Sequence, residues 1–431
     1  MTPIRAAAAS IDITPEPGIW LSGYAARQAP STGIHDKLLA RVLMLDDGAT
    51  RCALVSCDLI GLSPADTADI QKDCEQRGCL PADNVIVSCT HTHSGPASLR
   101  FRGCMGIIDE AWLARTKSRI ADCIVSLPDR LAPASIAYAH ALLPGLGFNR
   151  QDQSRPADDL LQSVRLFAPD GSVIATILNY ALHAVVLGPR NLLISGDVPG
   201  AAARAVESYS GGVCLYLQGA CGDIDPIINR ERGWGTGTFD DIDLIGSDMS
   251  AAAHSSLNSS SVNLLSSLNL KRKTIDVPLD PPPSDSELTS LEASFITERS
   301  NAVEKGLLVD AHCAEVMLLW ASELRQAMRN NTVPLSVSAS VSVVALNDIR
   351  IIGIPFEPYS GIAHDLRDRL KPLKVLVAGY TNGLFGYCPT RWAKDQGGYG
   401  ADSSCRWFPG MLTAIGYGAD DLLISILSDM A

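Results

Sequence analysis

The chain has little of what marks several large classes of protein. No apolar run approaches the roughly 18 residues that suggest a membrane span. Arg5 and the run Ala6 to Ala9 are followed by Asp12, before any apolar stretch of the roughly 7 to 15 residues that a signal peptide needs. The expectation is a soluble, cytoplasmic protein with no membrane partner. Lysine and arginine form no extended cluster, and 35 basic against 47 acidic side chains leave a net charge of −12. That balance lacks the electrostatic footprint of a nucleic-acid binder, so the expected partner is a small-molecule substrate; oligomeric state is not legible. Twelve cysteines in 431 residues are too sparse for a disulfide framework, and none forms a C-x-x-C pair. Thiol ligation of a metal is thereby disfavoured. With only eight histidines, any that fall after strand-like runs stand out.

What is present reads as α/β. Apolar residues make up 46% of the chain, enough for a large core. Cys52–Cys57, Val85–Ser88, Val173–Leu178 and Val213–Leu217 are short apolar runs of strand type, alternating with helical stretches. Asp58, the pair His91 and His93, His183, and the segment 219–226 follow them in turn. Open α/β sheets build their sites in loops beyond the carboxyl ends of strands. Residues 255–285, rich in serine and then proline, read as a loop or connection between lobes. Ser284 with Glu287 is a capping-box signature, and a helical pair is expected up to about Asn330. Leu335–Val343 alternates apolar residues with serine, as an antiparallel strand near a sheet edge would. Ile349–Ile354 and Val375–Ala378 return to buried strands. The expected domain plan is one unit over 1–431, with 279–332 as a helical insertion.

The most informative segment is Thr90-His91-Thr92-His93-Ser94-Gly95-Pro96. Residues two apart in extended chain share a side, so both imidazoles can converge on a divalent metal, or one can ligate while the other moves a proton. A His-x-His also opens the metal-dependent amidohydrolase barrels. Those need further histidines after later strands, and only His183 follows one; His254, His312 and His364 lie in helical or serine-rich contexts.

The ordered set is more specific than any one motif. It runs from Asp12-Ile13-Thr14-Pro15, Gly23-Tyr24-Ala25 and Gly33-Ile34-His35-Asp36, through Thr90 to Pro96, Asn149-Arg150 and His183, to Leu192 to Asp197, Gly222 to Pro226, Ile354 to Pro358 and Asn382 to Pro389. It resembles the catalytic domain of the neutral/alkaline, non-lysosomal ceramidases. The resemblance implies mixed β-sheets flanked by helices; 431 residues depart from it in size, and the expectation is a catalytic domain without the C-terminal β-sandwich of true ceramidases. The resemblance also implies a zinc site made by His91, His183, Glu357 and Tyr387, with His93 supporting a ligand or acting as acid/base. Arg150 would be a cation for substrate or developing negative charge, and Tyr399 an oxyanion donor. Such nitrogen and oxygen donors suit Zn²⁺. In the ceramidases the turn matching Gly222 to Pro226 carries a serine regarded as the nucleophile, whereas this chain has Asp225. A carboxylate suits a general base or a substrate anchor better than a covalent nucleophile for amides. Asp223 and Asp197 are neighbouring candidates, and His35 either approaches the site or pins the N-terminal segment.

The functional expectation is a zinc-dependent hydrolase of an amide, or else of an ester or lactone, in a small polar substrate. Asp225 or His93 would serve as acid/base. A metal-dependent lyase or isomerase for a hydroxylated molecule, and a non-catalytic binding protein, are the alternatives.

Overall fold

A computed structural model describes residues 4–431. Its frame is three β-sheets built on one plan, in which strands pair antiparallel until the last pair runs parallel. The first sheet contains β1 (Arg5–Asp12), β2 (Leu39–Asp46), β3 (Arg51–Cys57) and β4 (Val85–Cys89), in the order β4-β3-β2-β1, with Ala132–Pro133 beyond β1. β3 and β4 are parallel, and the other pairings are antiparallel. The second sheet contains β5 (Ser135–Leu142), β6 (Leu160–Phe167), β7 (Val173–Tyr180) and β8 (Val213–Gln218), and here β7 and β8 are the parallel pair. The third has β9 (Leu268–Pro278), β10 (Ser336–Leu346), β11 (Ile349–Gly353) and β12 (Lys374–Ala378), with β11 and β12 parallel.

The parallel pairs are buried on both faces and read as continuous apolar runs, which is why the sequence exposes them so clearly. Leu43 and Leu54 of the first sheet, Ile177 and Leu215 of the second, and Ile351 and Leu376 of the third share one apolar core. Polar side chains stitch the sheets where they meet. Ser56 Oγ donates to Tyr216 O at 2.6 Å, and Asn179 Nδ2 donates to Leu217 O and Val377 O at 2.9 Å each. The carboxyl ends of β4, β7, β8 and β12 therefore carry their loops toward one place.

Helices cover the sheets: α1 (Pro64–Gln76), α2 (Glu110–Val125), α3 (Asp197–Ser210), α4 (Phe239–Asn258), the hairpin α5 (Asp285–Glu304) and α6 (Leu308–Asn330), α7 (Ser360–Arg369) and α8 (Ala419–Met430). No helix among the described residues is long and apolar enough to cross a membrane. The expected helical pair is present, and its capping box forms, with Ser284 N donating to Glu287 Oε2 at 2.7 Å. The hairpin has its own apolar cluster, Leu288, Phe295, Trp320 and Leu324, joined to Leu412.

Two expectations are corrected. The segment 255–285 is not one loop: Ser255 to Asn258 finish α4, and Leu268–Pro278 is an eleven-residue strand. Ser256 Oγ folds back on Ala252 O at 2.8 Å, which lets serine sit in a helix. The strand was masked by its Lys271-Arg272-Lys273 run, which suits a solvent-facing sheet edge. As a consequence Ser336–Leu346 is antiparallel, as expected, but interior, because β9 takes the edge beside it.

Candidate metal centre

β4 ends at Cys89, and the next residues turn sharply rather than continuing extended. His91 adopts φ 63°, in the left-handed region that bulky side chains rarely occupy. This turn, not strand alternation, brings the two histidines together, correcting the geometric reason for their convergence. Their ring centroids lie 4.7 Å apart. His183, just past β7, enters from the second sheet, its backbone N–H donating to Ile224 O at 3.0 Å.

The three imidazoles meet through Nε2. His91 Nε2 lies 3.0 Å from His183 Nε2 and 3.1 Å from His93 Nε2. Each Nδ1 faces a main-chain carbonyl: His91 that of Ile60 at 2.7 Å, His93 that of Gly23 at 3.1 Å, His183 that of Cys221 at 3.2 Å. A carbonyl oxygen only accepts, so each Nδ1 carries a hydrogen and each ring turns its Nε2 inward. Burial, reinforced by the neighbouring imidazoles and Arg150, pushes the His93 and His183 pKa values well below the usual range, keeping both neutral. Three lone pairs at these separations repel one another unless a cation lies between them.

Glu357 completes the set. Its Oε2 is 3.4 Å from His91 Nε2 and 3.9 Å from His183 Nε2. The side chain is buried, and its other polar neighbour is the Tyr380 hydroxyl, 3.5 Å away. A buried carboxylate without a cation is costly. These side chains thus fit a divalent metal on the chemistry of the donors alone, and His91, His93 and His183 form the group able to hold one.

Arg150 and Asp225 sit beside this group as a bonded pair. Asp225 lies on the short strand Ile224–Pro226, which pairs with Gly147–Asn149. Arg150 Nη1 donates to Asp225 Oδ1 at 3.1 Å, Nη2 to the Tyr387 hydroxyl at 2.8 Å, and Nε and Nη2 to Gly222 O at 3.2 and 2.8 Å. Burial raises the Asp225 pKa, with the guanidinium opposing the shift. Burial likewise raises Tyr387 well above the usual phenol, so it is protonated. The ring of Tyr399 packs edge-on against Tyr387 with centroids 5.6 Å apart, and the residue is half exposed.

The structure therefore brings all eight sequence candidates into one region. It adds His93 to the cluster of ring nitrogens, and it turns the Tyr387 hydroxyl toward Arg150. Asp223 is a loop anchor: it accepts from Asn149 Nδ2 at 2.8 Å and from Ser360 N and Oγ at 2.7 and 2.9 Å. Asp58 is held by Arg41 at 3.0 Å. His35 stacks on Phe239 at 3.6 Å and bonds Asp36, so it pins the N-terminal segment.

Sequence reasoning missed Tyr380, whose ring stacks on His91 at 4.1 Å and whose hydroxyl lies 3.1 Å from Cys221 Sγ. Its signal was the position directly after β12. Arg27 was also missed, and Gly23-Tyr24-Ala25 entered only as part of the family pattern; they come from a loop of no periodic character. At Gly23 a Cβ would stand 2.3 Å from His93 Nδ1, and its φ is +95°.

The family model described as neutral/alkaline non-lysosomal ceramidase, N-terminal, matches residues 6–229, just over half of the chain. A neutral ceramidase of Pseudomonas aeruginosa is 25% identical over 300 residues, covering 64% of this chain and 45% of that protein. One of Mycobacterium tuberculosis is 25% identical over 243 residues, covering 48% of this chain and 38% of that protein. The matched segments thus cover less than half the length of these relatives. The crystal structure of the P. aeruginosa neutral ceramidase superposes with a TM-score of 0.72 at 19% identity, covering 100% of this chain and 74% of that one. A structure titled as a ceramidase complexed with C2 gives 0.74 at 18% identity. By sequence match and by fold, the chain belongs to the neutral/alkaline non-lysosomal ceramidase family.

Proposed function

We propose that this chain is a metal-dependent hydrolase that cleaves an amide bond, working as one catalytic unit to which 279–332 adds a helical hairpin. The observation that carries the reading is the convergence of three Nε2 lone pairs beside a buried carboxylate, each ring oriented by a carbonyl. His91, His93, His183 and Glu357 would hold the ion, and zinc suits a set of three nitrogens and one oxygen. A divalent cation there brings the pKa of water near neutrality and polarises a carbonyl.

The remaining work belongs to the chain's own groups. Asp225 takes a proton from the attacking water and returns it to the leaving nitrogen, the role left to it by the absence of a hydroxyl nucleophile in the turn. Arg150 is a positioning residue: four of its five N–H donors go to Asp225, Tyr387 and Gly222 O, so it aims the carboxylate and the phenol and keeps a single Nη1 N–H unspent. Tyr387 and Tyr399, both protonated, are the hydroxyl donors available to a developing oxyanion. His93, which would hold the ion, leaves proton transfer to Asp225.

The test is metal content together with isotope incorporation. Purified protein is expected to carry one zinc per chain, and turnover of an amide in oxygen-18 water to place the label in a carboxylate product. Absence of stoichiometric metal, or product carrying solvent deuterium on carbon without oxygen-18, refutes it.

A further inference from the structure

Beside Arg27, whose guanidinium donates to His93 O, lies a cavity of about 590 Å³ that the mechanism does not use. Trp20, Phe101, Met105, Ile107, Leu308 and Val309 supply its large apolar side chains, His312 also lines it, and its one fixed cation is Arg27. No acidic side chain lines it, although the chain as a whole carries a net charge of −12.

Arg27 is 6% exposed and forms no ion pair within 4.0 Å among the described residues. Three of its N–H groups go to main-chain carbonyls: Nε to Asn191 O at 3.2 Å, Nη1 to Ser22 O at 2.7 Å, Nη2 to His93 O at 2.9 Å. A guanidinium has five such donors, so two have no protein acceptor. The ring of Tyr24 lies between the guanidinium, 4.8 Å away, and the His93 ring, 5.0 Å away. A buried cation without a counter-charge is unfavourable, and a fork of unspent N–H donors matches a carboxylate. An apolar wall around it sets the rest of the ligand.

We propose that this cavity binds an apolar carboxylate, its anion on Arg27 and its chain or ring along Phe101, Met105, Ile107 and Leu308. The amides that the centre prefers then carry an anionic end joined to an apolar group, in place of the small polar substrate expected from the sequence. The binding site stands without the hydrolase reading; the substrate preference rests on it.

Calorimetric titration of the metal-loaded protein with sodium octanoate and with octan-1-ol tests the site. Octanoate is expected to bind one per chain, about tenfold or more tighter than the alcohol, the scale of a hydrogen-bonded charge. Arg27→Gln brings the two to equal affinity. Leu308→Glu, at a position 75% exposed on the rim, weakens octanoate several-fold at unchanged melting temperature. Equal affinities in the wild type overturn the proposal, as does undiminished octanoate binding by Arg27→Gln, which would put the anion on the metal. Should Arg27→Gln not fold, the wild-type comparison and Leu308→Glu still decide. For the preference, an amide with a terminal carboxylate is compared with its methyl ester. Equal kcat/KM overturns the preference and leaves the hydrolase reading standing, whereas octanoate binding with no amide turned over refutes that reading and leaves the site.

Discussion

Asp197 opens α3, and its surroundings make a quantitative prediction. It has φ 51°, is fully buried, and accepts at Oδ1 from Val198 N at 2.7 Å, while Oδ2 has no partner. Burial pushes its pKa from 3.8 to about 7, with Asp36 adding to the rise and hydrogen bonds opposing it. A carboxyl whose folded pKa is raised holds its proton longer in the folded state than in the unfolded chain. Stability is therefore greatest below the unfolded pKa and is lost as pH rises through the window from about 4 to 7, levelling off above. Between pH 5 and pH 8 this one group removes about 2 to 3 kcal/mol.

Asp197→Asn keeps the Oδ1 acceptor, tolerates left-handed φ, and cannot titrate. Its unpaired amide donors shift stability by an amount that does not depend on pH, so the change in the difference between the two proteins is the informative quantity. Denaturant titrations of both, at equal zinc concentration, are expected to show the variant gaining about 2 to 3 kcal/mol on the wild type from pH 5 to pH 8. Parallel pH curves would refute the reasoning, and would mean that the buried carboxyl ionises as freely as in the unfolded chain.

Three further outcomes are expected. Removing metal with a chelator should lower the melting temperature, since three lone pairs are then left facing one another. Restoring zinc at a hundredfold excess over its Kd should return about 2.7 kcal/mol, and His183→Ala should abolish the zinc-dependent rise; a scan indifferent to zinc contradicts the site. Asp225→Asn should lower kcat by about two to four orders of magnitude at unchanged zinc content, and a rate within a few-fold of wild type would remove Asp225 from proton transfer. Gly23→Ala, whose new methyl would stand 2.3 Å from His93 Nδ1, should displace that ring and lower zinc occupancy, read by metal analysis; full occupancy with intact stability would show that the loop yields instead.

Much of this protein was determined by its sequence alone. Parallel strands buried on both faces cannot avoid apolar runs, so Cys52–Cys57, Val85–Ser88, Val173–Leu178 and Val213–Leu217 announced themselves. The residues following them, scarce histidines and punctuating glycines, marked the side of the sheets that carries chemistry. The edge strand Leu268–Pro278 stayed hidden, because a solvated edge takes Lys271, Arg272 and Lys273 and so loses the apolar signal.

Only the tertiary structure decided how the site is put together. A left-handed residue at His91 joins it to His93, the carbonyls of Ile60, Gly23 and Cys221 orient three rings, and Arg150 is engaged by Asp225 and Tyr387. None of this has a period or a spacing. These contacts join loops from three separate sheets, tens to hundreds of residues apart along the chain. A spacing along one strand or helix encodes neighbours; the orientation of a lone pair, and the cation on Arg27 left without a counter-charge, exist only once the sheets have packed.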